Sequence, residues 1–209
     1  MNKTAKTLLI IFGVIGLATI LHFAPSWDKL LNRVPIFGEL YGNTVLIITT
    51  SKGRANVYVN EKSYGQTPLT IENLGEGRHL VELEKVTEYE DIYEKQQFYV
   101  NLHRNTESII DMEIAPNNFK SGYILYYTTA PRKADGKGYL TVQSDLNNYS
   151  IFLNQENMGN QSSYQLAPGE YELRAEAEGY ESLEFPVIVR EGYNLDTTIY
   201  LLPIPIDFE

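Results

Sequence analysis

One stretch occurs twice, and that repeat limits what the chain can fold into. Asn56 to His79 reads NVYVNEKSYGQTPLTIENLGEGRH, and Ser150 to Tyr171 reads SIFLNQENMGNQSSYQLAPGEY. Val57, Val59, Asn60 and Gly65 match Ile151, Leu153, Asn154 and Gly159, while Leu74 and Gly77 match Leu166 and Gly169. In both copies apolar residues alternate with polar ones, the two-residue period of a half-buried strand. Polar and glycine-containing turns follow, where positive φ is tolerated. The offset is 94 between Gly65 and Gly159 and shrinks to 87 between Pro116 and Pro203. The shortening falls in turns, where length changes are tolerated. A repeat of this length is a domain repeat, too long for a solenoid unit.

These residues resemble the PEGA domain family. Its pattern runs V-x-V-x-G/N, x-G-x-T-P, an L-x-P-G-x-H/Y turn, an alternating strand, Gly-Tyr and two closing strands. The first copy supplies Val57, Val59, Asn60, Gly65, Thr67, Pro68, Leu74, Gly77 and His79. The second supplies Ile151, Leu153, Asn154, Gly159, Leu166, Pro168, Gly169, Tyr171, Gly179 and Tyr180. The second copy lacks Thr-Pro, and the first has Glu88-Tyr89 where Gly-Tyr is the pattern. The resemblance implies a β-sandwich module of prokaryotic surface proteins, similar in pattern to surface-layer proteins, and transfers no catalytic residue.

The expected fold is therefore all-β: two tandem small β-sandwiches preceded by one N-terminal transmembrane helix. The expected boundaries are a cytoplasmic stub and anchor at 1–25, a stem at 26–43, the first sandwich at 44–116, a junction at 117–137, the second sandwich at 138–203 and a tail at 204–209. Lys3 and Lys6 precede the apolar run Thr7 to Phe23. At about 1.5 Å per residue this run spans roughly 25 Å, enough for a membrane helix. No small-x-small cleavage site follows it, which favours a signal anchor over a cleaved signal peptide. Trp27 then suits either the headgroup level or packing on the first sandwich. The junction contains GYILYYTT, Gly122 to Thr129, a strand composition, followed by the basic loop Pro131 to Gly138.

Net charge is −10. Lys3, Lys6, Lys29 and Arg33 outweigh Asp28 and Glu39 before residue 44, so the acidity lies in the two repeats. An acidic body argues against nucleic acid, whose phosphates need a basic footprint. With no cysteine, disulfides, thiol catalysis and a lipid-modified cysteine are excluded.

Enzyme chemistry finds little support. His22, His79 and His103 lack the convergent spacing of a zinc site, and His79 occupies the place of Tyr171 in the repeat. Glu82, Glu84, Glu172, Glu176 and Glu178 alternate with apolar residues and read as solvated strand faces rather than a hydrolytic pair. Asp145, Asn147 and Asn148 read as a turn with too few acids for a dedicated calcium loop. Asp135-Gly136-Lys137-Gly138 lacks the spacing and hydroxyl of a phosphate loop, and Gly-x-Ser-x-Gly is absent. No catalytic residue, metal or cofactor is expected.

The candidate binding face is Tyr123, Tyr126, Tyr127, Arg132, Lys133 and Tyr139, aromatic and basic groups around the junction. The expected role is a non-enzymatic module of the cell surface or envelope. It would hold the membrane by a single pass, N-terminus cytoplasmic, and present both domains outside to wall polymer, a surface layer or an envelope protein. The alternatives are a subunit of an envelope assembly working through strand edges, and a carbohydrate-binding module.

Overall fold

The repeated motif folds as the same hairpin twice. In the first copy β2 (Ala55–Val59) and β3 (Lys62–Gln66) are joined by Asn60 and Glu61, at φ 49° and 68°. In the second, β10 (Ser150–Leu153) and β11 (Glu156–Gly159) are joined by Asn154 and Gln155, at φ 48° and 71°. Two successive residues of positive φ make the tight turn whose twist matches antiparallel strands, and asparagine suits its first position. The asparagine side chain also ties the hairpin to the next strand. Asn60 Oδ1 accepts the Leu80 N–H at 3.0 Å, and Asn154 Oδ1 accepts the Glu172 N–H at 2.9 Å. Position 79/171 closes the following turn in both copies. The His79 Nε2–H donates to the Gly75 carbonyl at 2.7 Å, and the Tyr171 hydroxyl donates to the Ala167 carbonyl at 2.9 Å.

The computed structural model describes residues 43–89, 92–130, 136–159 and 161–205. The expected anchor, Trp27 and all of the stem before residue 43 lie outside these. Among the described residues no helix is long and apolar enough to cross a membrane.

The remaining strands of the first copy are β1 (Val45–Thr49), β4 (Leu69–Glu72), β5 (Gly77–Lys85), β6 (Gln96–Leu102) and β7 (Glu107–Ile114). Those of the second are β9 (Gly138–Ser144), β12 (Ser163–Leu166), β13 (Gly169–Glu176), β14 (Leu183–Val189) and β15 (Tyr193–Tyr200). Between the copies runs β8 (Lys120–Thr129). Each copy forms one four-stranded sheet, β3-β2-β5-β6 and β11-β10-β13-β14. The other strands join a single seven-stranded sheet, β12-β9-β15-β8-β7-β1-β4.

The chain is thus all-β over the described residues, with one cover sheet per copy. The alternation foretells the strands but not the shared sheet. Its centre is β8, antiparallel to β7 on one side and to β15 on the other. Strand order is mirrored about β8. The two cover sheets lie on opposite faces, because successive residues of β8 point to opposite sides. Ile124 joins the core of Leu46, Ile48, Val57, Leu83 and Met112, while Leu125 and Tyr127 join that of Leu140, Val142, Ile151, Leu173 and Ile199. With β7 and β15 running the same way, this arrangement is a two-fold rotation about the β8 axis.

Close backbone approach fixes the centre of this sheet. Gly122, at φ 141°, sits opposite Met112 and Tyr200, and a Cβ there would lie 2.0 Å from the Asp111 carbonyl oxygen. Only glycine satisfies both constraints. One core residue of the shared sheet is anomalous. Thr197 is 1% exposed, and its hydroxyl has no hydrogen-bond partner among the described residues.

Candidate functional site

The two faces of β8 divide the expected binding residues. Tyr123 and Tyr127 face the second cover sheet. The Tyr123 ring stacks on Phe185 with centroids 3.9 Å apart, and the Tyr127 hydroxyl donates to the Ile188 carbonyl at 2.6 Å. The Arg190 guanidinium lies 4.6 Å from the Tyr127 ring centroid. These tyrosines seam one sandwich together, and burial pushes both hydroxyls above the usual tyrosine range. Tyr126 and Tyr139 lie on the opposite face. Arg132 and Lys133 lie outside the described residues.

The face that carries Tyr126 and Tyr139 is half-buried: Tyr126 packs against the first core, Asn194 is buried, and Thr128, Tyr139, Thr141 and Asp196 are partly exposed. The first cover sheet packs on β1, β7 and β8. Beyond it, β15 and β9 present Asn194, Asp196, Tyr139 and Thr141 beside Tyr126 and Thr128 of β8. Register places Asp196 between Tyr126 and Thr141, and Asn194 between Thr128 and Tyr139. With strands about 4.8 Å apart, these six side chains fit within three strands.

Their hydrogen bonds run in one direction. The Thr141 hydroxyl donates to Asn194 Oδ1 at 2.9 Å, Asn194 Nδ2 donates to Thr128 Oγ1 at 3.5 Å, and the Thr128 hydroxyl donates to Asp196 Oδ2 at 2.6 Å. The series ends on the carboxylate. Burial raises the Asp196 carboxyl above the usual carboxylate range, and the bonds from Thr128 and Asn194 draw it partly back. Tyr126 is raised chiefly by burial and then by Asp196, while Arg78 acts in the opposite sense. Arg78 packs 3.7 Å from the ring centroid of Tyr99, which is 57% exposed on the edge strand β6. The Tyr139 hydroxyl accepts a 3.4 Å bond from Gln165. An acid, an amide, two hydroxyls and two tyrosines thus share one held surface, with Arg78 and Tyr99 to its side.

Sequence reasoning named Tyr126 and Tyr139 but missed Asp196, Asn194, Thr128 and Thr141. The signal was the run NLDTT in a closing strand, where an acid interrupts an otherwise apolar and hydroxyl pattern. Elsewhere an open hollow of about 820 Å³ at the end of the second copy is lined by Tyr149, Tyr180, Glu176, Glu178, Glu181 and Ile204 among others. Among the described residues no group of three or more acids, histidines or cysteines is placed to hold a metal ion.

The family model for the PEGA domain matches residues 43–116 and again residues 137–203. No curated protein matches the chain.

Proposed function

Since the chain belongs to the PEGA domain family, in two copies, we propose that it is a non-enzymatic binding module of the cell envelope. The apolar run Thr7 to Phe23 anchors it in the membrane with its N-terminus inside. Both copies face outward, toward wall polymer, a surface layer or an envelope protein. The observation that carries this reading is the single seven-stranded sheet shared by both copies. Two sandwiches on a flexible linker would present two surfaces independently. A continuous ladder through β8 fixes their spacing and orientation, so a partner meets one rigid surface and little ordering entropy opposes binding.

The test is cosedimentation of the purified full chain, in detergent, with wall sacculi and with stripped wall polymer from the source cell, at low and high salt. Retention on wall material at high salt supports the reading, and absence from every fraction refutes it. Protease accessibility of the repeats in intact cells tests the orientation, since an outward body is digested from outside.

The outer edges of the shared sheet favour a second reading. Among the described pairings β4 meets only β1, and β12 meets only β9. Free strand edges can take a further strand, as in a subunit of an envelope assembly. Concentration-dependent association in analytical ultracentrifugation supports that reading, and a monomer at all concentrations opposes it.

A further inference from the structure

The half-buried polar face over β15 and β9 differs from its counterpart in the first copy. Asp196 occupies the repeat position of Ile109, and Thr141 that of Ile47. Ile47 and Ile109 pair across β1 and β7 as Thr141 and Asp196 pair across β9 and β15. The same strand geometry is therefore built with two isoleucines in one half of the molecule. Strand pairing does not demand an acid and a hydroxyl in the other half. Burial works against the charged carboxyl of Asp196, yet Thr141, Asn194 and Thr128 are aligned in series toward it. Polar groups placed at a cost to stability and held in position by their neighbours mark a functional surface.

The chemistry of this surface narrows the ligand. A bare divalent cation needs several oxygen ligands, and this face offers one carboxylate. An anionic polymer meets the Asp196 charge on a chain of net charge −10. A carboxylate accepts bonds through two oxygens, which suits adjacent hydroxyls of one sugar. Tyrosines offer apolar ring faces with polar tips. We propose that the face centred on Asp196 binds a neutral glycan chain. Sugar hydroxyls donate to the Asp196 carboxylate and exchange bonds with Thr141, while Tyr126 and Tyr139 contact ring faces on either side. Asn194, 9% exposed, is a positioning residue that orients Thr128 and Thr141. This inference rests on the binding-module reading and supplies its ligand class.

The test uses the full chain in detergent, with the neutral oligosaccharides cellohexaose, chitohexaose and mannohexaose as probes, by calorimetry and saturation-transfer NMR. Two variants are compared. Thr141→Ile/Asp196→Ile carries the first copy's residues, which the strand geometry already accommodates. Asp196→Asn keeps an acceptor for Thr128 and carries the test if the double variant fails to fold. The wild type is expected to bind at least one probe, and each variant to bind it about tenfold or more weakly. The wild type binding no probe, or either folded variant binding as tightly as wild type, overturns the glycan site. If the wild type cosediments with sacculi but binds none of the probes, the glycan site falls and the binding-module reading stands. If the wild type itself fails to cosediment, that broader reading falls.

Discussion

Replacing Gly122 with alanine should break the junction between the two halves. The added Cβ meets the Asp111 carbonyl oxygen at 2.0 Å and the Asp111 carbonyl carbon at 2.9 Å. Both atoms are backbone in a paired strand, so neither can swing aside as a side chain would. The glycine also sits at φ 141°, where strain for alanine is on the order of 1–3 kcal/mol. Relieving the clash separates β7 from β8, and each ladder bond lost removes about 1 kcal/mol. Strain plus two lost bonds gives about 3–5 kcal/mol. Gly192→Ala is the control. Gly192 also has positive φ, 75°, but nothing lies within 4 Å of its added Cβ, so only conformational strain of roughly 1–2 kcal/mol applies. Urea unfolding of residues 43–205 and both variants, followed by far-UV circular dichroism, gives the two values. A Gly122→Ala cost no larger than that of Gly192→Ala would refute the close approach of β7 and β8, and with it the tight central ladder.

Other outcomes follow from single side chains. Thr197→Val keeps the branched shape and removes a buried hydroxyl that has no partner among the described residues. It should stabilise the protein by about 1 kcal/mol, raising Tm by roughly 2–4 °C, whereas a fall in Tm would mean that the hydroxyl is bonded in solution. Tyr127→Phe removes the bond to the Ile188 carbonyl and should cost about 1 kcal/mol in urea unfolding, with unchanged far-UV circular dichroism. Asp196 has a raised carboxyl pKa when folded, so the folded state holds its proton more tightly and this group's contribution to stability falls as pH rises past the normal carboxylate range. Asp196→Asn should therefore be more stable than wild type at neutral pH, and its advantage should shrink as pH falls toward about 4, the unfolded carboxylate value, and stay level below it. An advantage independent of pH would contradict burial of the charge.

Local structure was legible in the sequence wherever one residue type had one physical use. Asn60 and Asn154 announced their turns, because asparagine tolerates positive φ and can bond the adjacent backbone. Strand alternation in Val57 to Val59 and in Tyr171 to Ala177 announced which residues enter the cores. The match of His79 to Tyr171 announced a shared turn position, and both rings donate to the carbonyl four residues back. The strand composition of Gly122 to Thr129 was legible, but its partners were not. Pairing of β8 with β7 is local, whereas pairing with β15 joins Thr129 to Tyr193 across a whole repeat. No alternation pattern carries such long-range register. The tyrosines of β8 show the same limit. Tyr123, Tyr126 and Tyr127 are close in sequence, yet two-residue periodicity sends Tyr126 to the opposite face from the other two. The polar series on β15 was missed because Asn194, Asp196, Thr128 and Thr141 come from three strands that converge only in the shared sheet.

Native-state hydrogen exchange of the amides in β7, β8 and β15, read residue by residue under increasing urea, tests the shared sheet most directly. If β8 unites the two copies, amides of all three strands open together at the highest free energy in the molecule. If the β7 and β15 amides open at separate free energies and those of β8 exchange early, the two repeats are independent bodies, and the rigid surface proposed for binding does not exist.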